Sequence, residues 1–285
     1  MQQGIADVAD TLSLCERSSE EGKVSWRRRL SRTLQRWVEF PRPFVDYRPV
    51  QVPLTRRGTD YGGWWFIPTD DLRGGLVVCA GAGEDISFDV ALAAEFGATV
   101  HIIDPTPRAV HHVEAVLSRI GQRSEAEFVH GGAQPPDAYD VSRVNGKQIV
   151  LHRFALWNAD TPVTFFPPAN PDFVSHTVGD WRNSGRHEDA LTVEARRLES
   201  ILTDEEADRI ALLKLDIEGS EIEVLEDIFA SGLEPHQVLV EFDQLAEPNN
   251  DTLARAKRTF VALKRMNYRL TARDGLNYSF LQSAS

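Results

Sequence analysis

The stretch Leu213-Lys-Leu-Asp-Ile-Glu-Gly-Ser-Glu221 decides how this chain folds. An apolar run from Ile210 to Leu215 ends in two carboxylates, Asp216 and Glu218, and a glycine and a helix start follow. Ser220 and Glu223 have the spacing of a capping box, which predicts a helix from Glu221 to Ala230 with Gly232 as its stop. A buried parallel strand that delivers acids at its carboxyl end places them where open α/β sheets bind ligands.

Upstream, Leu76-Val-Val-Cys-Ala-Gly-Ala-Gly-Glu-Asp85 reads as strand, glycine turn and helix. Gly81 and Gly83 allow a tight turn and close approach of the backbone to a ligand. The helix that follows, Ile86 to Phe96, closes on Gly97 as its C′ residue. A second strand, Thr99 to Ile103, ends in Asp104. An acid at that point, beyond a glycine loop, is how nucleotide sites hold a ribose diol. Thr106 and Pro107 suit the N-cap and first position of a helix running to Ile120. Ile86 stands at the third glycine position of a G-x-G-x-x-G fingerprint, so the nicotinamide signature is incomplete. Glu84 and Asp85 would repel a pyrophosphate, whereas the cationic amine and sulfonium of S-adenosylmethionine suit them.

Three segments, Gly81-Ala-Gly-Glu-Asp-Ile-Ser-Phe-Asp89, Asp104-Pro-Thr-Pro107 and Lys214-Leu-Asp-Ile-Glu-Gly-Ser-Glu221, together resemble the motifs of FkbM-type S-adenosylmethionine-dependent methyltransferases. Phe154-Ala-Leu-Trp157 resembles the end of that family's third strand, and Pro171-Asp-Phe-Val-Ser-His-Thr177 resembles a segment of its insertion. The resemblance runs in order from about Tyr61 to Leu281. It implies an α/β fold with a class I Rossmann-like methyltransferase sheet, mostly parallel with a C-terminal antiparallel hairpin. It also implies methyl transfer to a hydroxyl of a sugar, glycolipid or polyketide. On that reading S-adenosylmethionine lies against Gly81, Gly83, Glu84, Asp85, Asp104, Ala155, Leu156 and Asp216. His176 is a candidate catalytic residue because it sits in the insertion segment.

The rest of the chain fits this plan. Strands over Ile149–Ala155, Ile210–Asp216 and Val238–Phe242 alternate with helices, which predicts a parallel sheet. Tyr268–Ala272 and Asn277–Leu281 read as a hairpin turning at Asp274-Gly275. Residues 61–285 form the expected domain. Residues 1–60 form an extension, in which Trp26, Leu30, Leu34 and Trp37 recur at helical spacing and Phe40 to Thr59 is a linker. Residues 157–191 interrupt the alternation with Pro162, Pro167, Pro168 and Pro171 among Phe165, Phe166, Phe173 and Trp181, the composition of a lid or acceptor pocket.

An alcohol is about as weak an acid as water, with a pKa of ~15.7, so no side chain strips it beforehand. Either the proton leaves as the methyl arrives, with a base nearby, or a divalent metal acidifies the hydroxyl. Asp216 and Glu241, at the ends of neighbouring strands, are the candidate base pair. Asp216, Glu218, Glu241 and Asp243 are the candidate ligands for magnesium or calcium.

The formal net charge of −12 argues against a nucleic-acid partner. Residues 1–60 nevertheless hold 11 Lys/Arg against 8 Asp/Glu, so the acidity lies in the domain. The expected partner is a small-molecule, carbohydrate or lipid-linked acceptor. No apolar run approaches the roughly 18 residues of a membrane helix, and the N-terminus lacks a basic, then apolar, signal pattern. Cys15 and Cys79 are the only cysteines, which suits a reducing cytoplasm. Two other classes compete: a nicotinamide-dependent oxidoreductase or epimerase, and a non-catalytic Rossmann-like binding module. The first lacks the third loop glycine and any Tyr-x-x-x-Lys pair.

Overall fold

Short runs of valine, leucine and isoleucine, each ended by a glycine or a polar turn, become the strands of a central sheet. The computed structural model describes residues 49–166, 177–178, 190–204, 209–246 and 249–283. Contacts divide the chain into two compact units, Met1–Asp46 and Tyr47–Ser285. The helix expected around Trp26 to Trp37 and the candidate His176 lie outside the described residues.

A hairpin of β1 (Thr55–Arg57) and β2 (Trp64–Phe66) comes first. Then β3 (Leu76–Ala80), α1 (Ser87–Phe96), β4 (Thr99–Ile103), α2 (Pro107–Leu117) and β5 (Ile149–His152) alternate. Five short strands follow: β6 (Ala155–Leu156), β7 (Val163–Phe166), β8 (Thr177–Val178), β9 (Leu191–Val193) and β10 (Ala195–Arg196). Alternation resumes with α3 (Leu198–Asp204), β11 (Leu212–Leu215), α4 (Glu221–Ala230), β12 (Gln237–Glu241) and α5 (Asn250–Arg265). Last come β13 (Tyr268–Asp274) and β14 (Asn277–Gln282).

Seven of these strands form one sheet in the order β13-β14-β12-β11-β3-β4-β5. The five from β12 to β5 are parallel, and β14 and β13 add antiparallel at one edge. β3, β4, β11 and β12 are almost wholly buried, as expected of strands covered on both faces. One face packs Trp64, Phe66, Ile86, Phe88, Leu92, Val113 and Tyr139 into a single apolar cluster. Near β12 and β14, Phe242, Phe260, Tyr278 and Phe280 pack with centroids 5.2–5.5 Å apart, edge-to-face except for the tilted Phe242–Phe260 pair. Each fully buried phenylalanine in these layers contributes roughly 1.5–3 kcal/mol. From β3 the chain winds outward to β4 and β5, then returns to β11 and β12 on the opposite side. The direction reverses between β3 and β11, which opens a crevice at their carboxyl ends.

Several boundaries differ from the sequence-based expectation. The third strand leaves the sheet at Arg153. Ala155 N–H donates to the Glu194 carbonyl and Trp157 N–H to that of Arg196, so β6 pairs in parallel with β10 instead. α2 stops at Leu117 because the next residues tighten: Arg119 N–H bonds to Val116 O and Ile120 N–H to Leu117 O. Asp274 pairs with Asn277, so the hairpin loop is Gly275-Leu276, with Gly275 at φ +64°. β1 falls inside the stretch read as a linker, because Thr55–Arg57 pairs with Trp64–Phe66. Within the insertion, β7 lies between β8 and β9 in an antiparallel sheet. Among the described residues no helix is long and apolar enough to cross a membrane.

Candidate active site

The crevice is built by the meeting of two strand ends. Gly81 follows β3 at φ +85°, and a Cβ there would lie 1.7 Å from the Asp216 carbonyl oxygen. Glycine is therefore required both by the left-handed backbone and by the approach of β11. Gly81 N–H donates to Ile103 O (3.0 Å), and Asp216 N–H donates to Ala80 O (3.1 Å). The ends of β3, β4 and β11 are thus knitted together around the turn.

Asp104 holds that turn in place. One carboxylate oxygen accepts from Ala82 N–H (2.9 Å) and Gly83 N–H (3.2 Å). The other accepts from Thr106 N–H (2.8 Å) and the Thr106 hydroxyl (2.7 Å). The side chain is buried, and four donors occupy its acceptor sites. The sequence expectation was a direct grip on a ribose diol, but here the carboxylate is spent on the backbone. A ribose hydroxyl has to share or displace one of these bonds.

Glu84 and Asp85 also differ from their expected role as open acids in the turn. Glu84 pairs with Arg108 at 2.5 Å, which neutralises its charge locally. Asp85 is buried under the 58–63 segment, accepting from the Thr59 hydroxyl (2.5 Å) and from Ser87 N–H (3.0 Å). Gly62 sits so tightly on it that an added Cβ would be 2.6 Å from the carboxyl carbon. Asp85 thereby braces the entry to α1 and is closed over by the 58–63 segment. The next amide, Ile86 N–H, donates to the Tyr139 hydroxyl (3.2 Å), which lies 2.9 Å from His112 Nε2. Burial lowers the His112 pKa, which favours a neutral ring able to accept a hydrogen bond from the tyrosine hydroxyl.

The second wall carries the acids. The register Leu215↔Val240 sets Asp216 beside Glu241 on adjacent parallel strands. Asp216 is about a third exposed (31%) and open to a ligand. Burial and then the Asp216 charge raise the Glu241 pKa well above its usual range, and its carboxyl hydrogen-bonds Asp216. Burial, followed by Glu218 and Glu221, does the same to Asp243. The shift favours the protonated form of Glu241 and couples it to its strand-end neighbour Asp216.

The turn between β11 and α4 lacks the expected capping box. The Ser220 side chain makes no capping bond, and Glu223 is taken by Arg255. Glu221 does the work instead: its Oε1 accepts from Ile217 N–H (3.1 Å) and Gly219 N–H (3.0 Å). Burial drives the Glu221 pKa up to about 8. The turn needs this support because Glu218 and Gly219 both sit at positive φ, +56° and +99°. Gln244 adds a bond from its amide to Gly219 O (2.7 Å).

Of the expected site residues, Gly81, Gly83, Asp104, Asp216 and Glu241 converge on the crevice. Ala155 and Leu156 are buried in β6, which pairs with β10 outside the main sheet. Among the described residues no group of three or more His, Cys, Asp or Glu side chains is arranged to hold a metal ion. Sequence reasoning passed over Glu221, Gln244 and Lys214. Lys214 left a readable signal, a lysine inside a strand otherwise apolar on both faces. A family profile for the methyltransferase FkbM domain matches residues 85–270. A search of curated proteins finds no match to this chain.

Proposed function

This chain belongs to the FkbM methyltransferase family, and from that premise we propose that it moves the methyl group of S-adenosylmethionine onto a hydroxyl of a sugar, glycolipid or polyketide-type acceptor. The adjacent Asp216 and Glu241, facing the glycine turn across the crevice, carry this assignment. Numbered along the chain, the seven sheet strands run 3-2-1-4-5-7-6 across the sheet, which supports the class I reading. The nicotinamide reading falls with the family match.

The donor set fits the cofactor. Asp216, Glu218, Glu241 and Asp243 lie near enough that, after burial, repulsion from neighbouring acids adds to the raised pKa values of Glu241 and Asp243, the negative surroundings that suit a cationic sulfonium. A pyrophosphate would be repelled. When bound, S-adenosylmethionine supplies an electrophilic methyl on a cationic sulfur.

The chain's own groups do the rest. The turn at Gly81 and Gly83 brings backbone close to the donor pocket, and Asp104 fixes that turn. Alignment of acceptor oxygen and methyl carbon can supply roughly 7–11 kcal/mol of the barrier. Asp216 receives the acceptor proton as the new C–O bond forms. Glu241 keeps its proton in this step and, beside Asp216 on the next strand, helps to orient that carboxylate, while the methyl–sulfur bond breaks to leave neutral S-adenosylhomocysteine.

Thermal shift with S-adenosylhomocysteine against NAD tests the cofactor, since a bound ligand raises stability by mass action. Stabilisation by S-adenosylhomocysteine alone is the expected result, and stabilisation by NAD alone would sink the proposal. Transfer of labelled methyl to a panel of hydroxylated acceptors, with and without chelator, then tests the chemistry. Transfer only to amines, or transfer that needs added magnesium, would replace the Asp216 base with a different device.

A further inference from the structure

Lys214 lies in the middle of β11, yet its side chain is 5% exposed. Burying an ammonium is costly unless it is paired and hydrogen-bonded. Here the cation has three partners. Nζ donates to the Gly81 carbonyl at 2.6 Å. It lies 3.5 Å from Asp216 Oδ2. It also sits 5.7 Å from the centroid of the Trp64 ring, within cation–π range. Asp89 of α1 adds a second buried carboxylate that interacts with it electrostatically, with one oxygen, Oδ1, lacking a hydrogen-bond partner. Burial opposes the charge on Lys214, but Asp216 and Asp89 outweigh it.

We infer that Lys214 is a positioning residue that ties the glycine turn to the strand-end acid, so that the donor pocket and the proton acceptor keep one fixed spacing. This rests on the proposed methyl transfer for its meaning, though not for its geometry. Gly81 and Asp216 are already in backbone contact, and backbone contact fixes only the distance between main chains. The ammonium adds two things. It points the Gly81 carbonyl inward, which leaves the Ala82 and Gly83 amides to Asp104. It also holds Asp216 by charge, with Nζ 3.5 Å from Oδ2. Asp216 is then constrained by the ammonium as well as by its own strand, and about a third of its side chain remains exposed.

Lys214→Met in the full chain tests this, because the methionine keeps the apolar stem and removes the charge. Hydrogen exchange of the 81–86 turn is measured first. Amides in the turn should exchange at least about tenfold faster, a difference of ~1.4 kcal/mol, while β4 and β12 keep their protection. Calorimetry with S-adenosylhomocysteine should show about tenfold weaker binding. Lys214→Met and Asp216→Asn should be non-additive in that affinity, since each removes the same interaction. Unchanged exchange in the turn, equal acceleration across every strand, or strictly additive losses would each overturn the assignment and leave Lys214 as filler. If Lys214→Met does not fold, Lys214→Gln keeps a donor without the charge and is read by the same exchange pattern and cycle. Failure of the wild-type protein to bind S-adenosylhomocysteine would count against the proposed function alone, because the exchange comparison needs no cofactor.

Discussion

Asp104 accepts four hydrogen bonds from the groups that shape the glycine turn. Asp104→Asn leaves one acceptor oxygen and puts an amide donor against amides or a hydroxyl. Loss of charged-acceptor bonds should cost about 1.5–3 kcal/mol of stability and weaken S-adenosylhomocysteine binding. Wild-type melting and wild-type affinity together would show that the turn holds itself. Asp216 and Glu241 make a sharper pair. Asp216→Asn removes the proton acceptor and should abolish most turnover with the fold intact. Glu241→Gln retains a donor toward Asp216, so it should keep clearly more activity than Asp216→Asn. Equal losses would mean that Glu241 also has to ionise. The acids themselves were legible as residues that end apolar runs. Their partners were not: nothing in the order Glu84-Asp85 shows that one meets Arg108 and the other is sealed by Thr59.

Two glycines with the same backbone sign separate local strain from packing. Gly97 closes α1 at φ +65°, and an added Cβ would meet only Gln148 Nε2 at 3.9 Å. Gly97→Ala should cost about 1–2 kcal/mol from the left-handed conformation alone. Gly81→Ala carries that cost and a clash with a backbone carbonyl, so about 2–5 kcal/mol is expected. Denaturant titration of both variants checks the ranking, and similar losses would contradict the close approach of β11 to the turn. The existence of these elements was legible because long apolar runs and terminal glycines are local signals. Their ends were less so. β5 stops at His152 because Ala155 and Trp157 find carbonyls on another segment, and the turn before α4 is braced by Glu221 rather than by a Ser220–Glu223 capping box. The first outcome depends on partners distant in sequence and the second on a side-chain rotamer, since Glu221 turns back onto the preceding loop rather than capping the helix.

The whole molecule carries a pH signature from its buried acids. Glu221 is fully buried and titrates near 8 in the folded chain, against about 4.3 when unfolded. Between those values the unfolded state binds fewer protons than the native state. Stability contributed by the protonated form is complete below about pH 4.3 and is lost as pH rises through about 8. Glu221→Gln keeps the acceptor for Ile217 and Gly219 but cannot ionise. Denaturation midpoints should show the variant more stable than wild type by at least about 1 kcal/mol above pH ~8, with the gap closing toward pH ~5. A gap that is constant with pH would mean that Glu221 is already charged in the native state. This behaviour was invisible in the sequence, where Glu221 reads as an ordinary acid in the first turn of a helix. The sheet plan was visible, since alternating strands and helices leave few right-handed arrangements.

The position of β3 between β4 and β11 has a consequence for how the protein is made. Gly81 and Lys214 are 133 residues apart. A ribosome adding roughly 5–20 residues per second needs on the order of ten seconds to cover that interval. Throughout it the nascent chain carries Val77, Val78 and Cys79 on a strand whose inner edge has no neighbour. The turn meanwhile lacks both the carbonyl that presses on it and the lysine that points it. The final geometry of the glycine turn is therefore a late event in biosynthesis. The half-made chain exposes an apolar edge open to wrong pairing until β11 has left the exit tunnel.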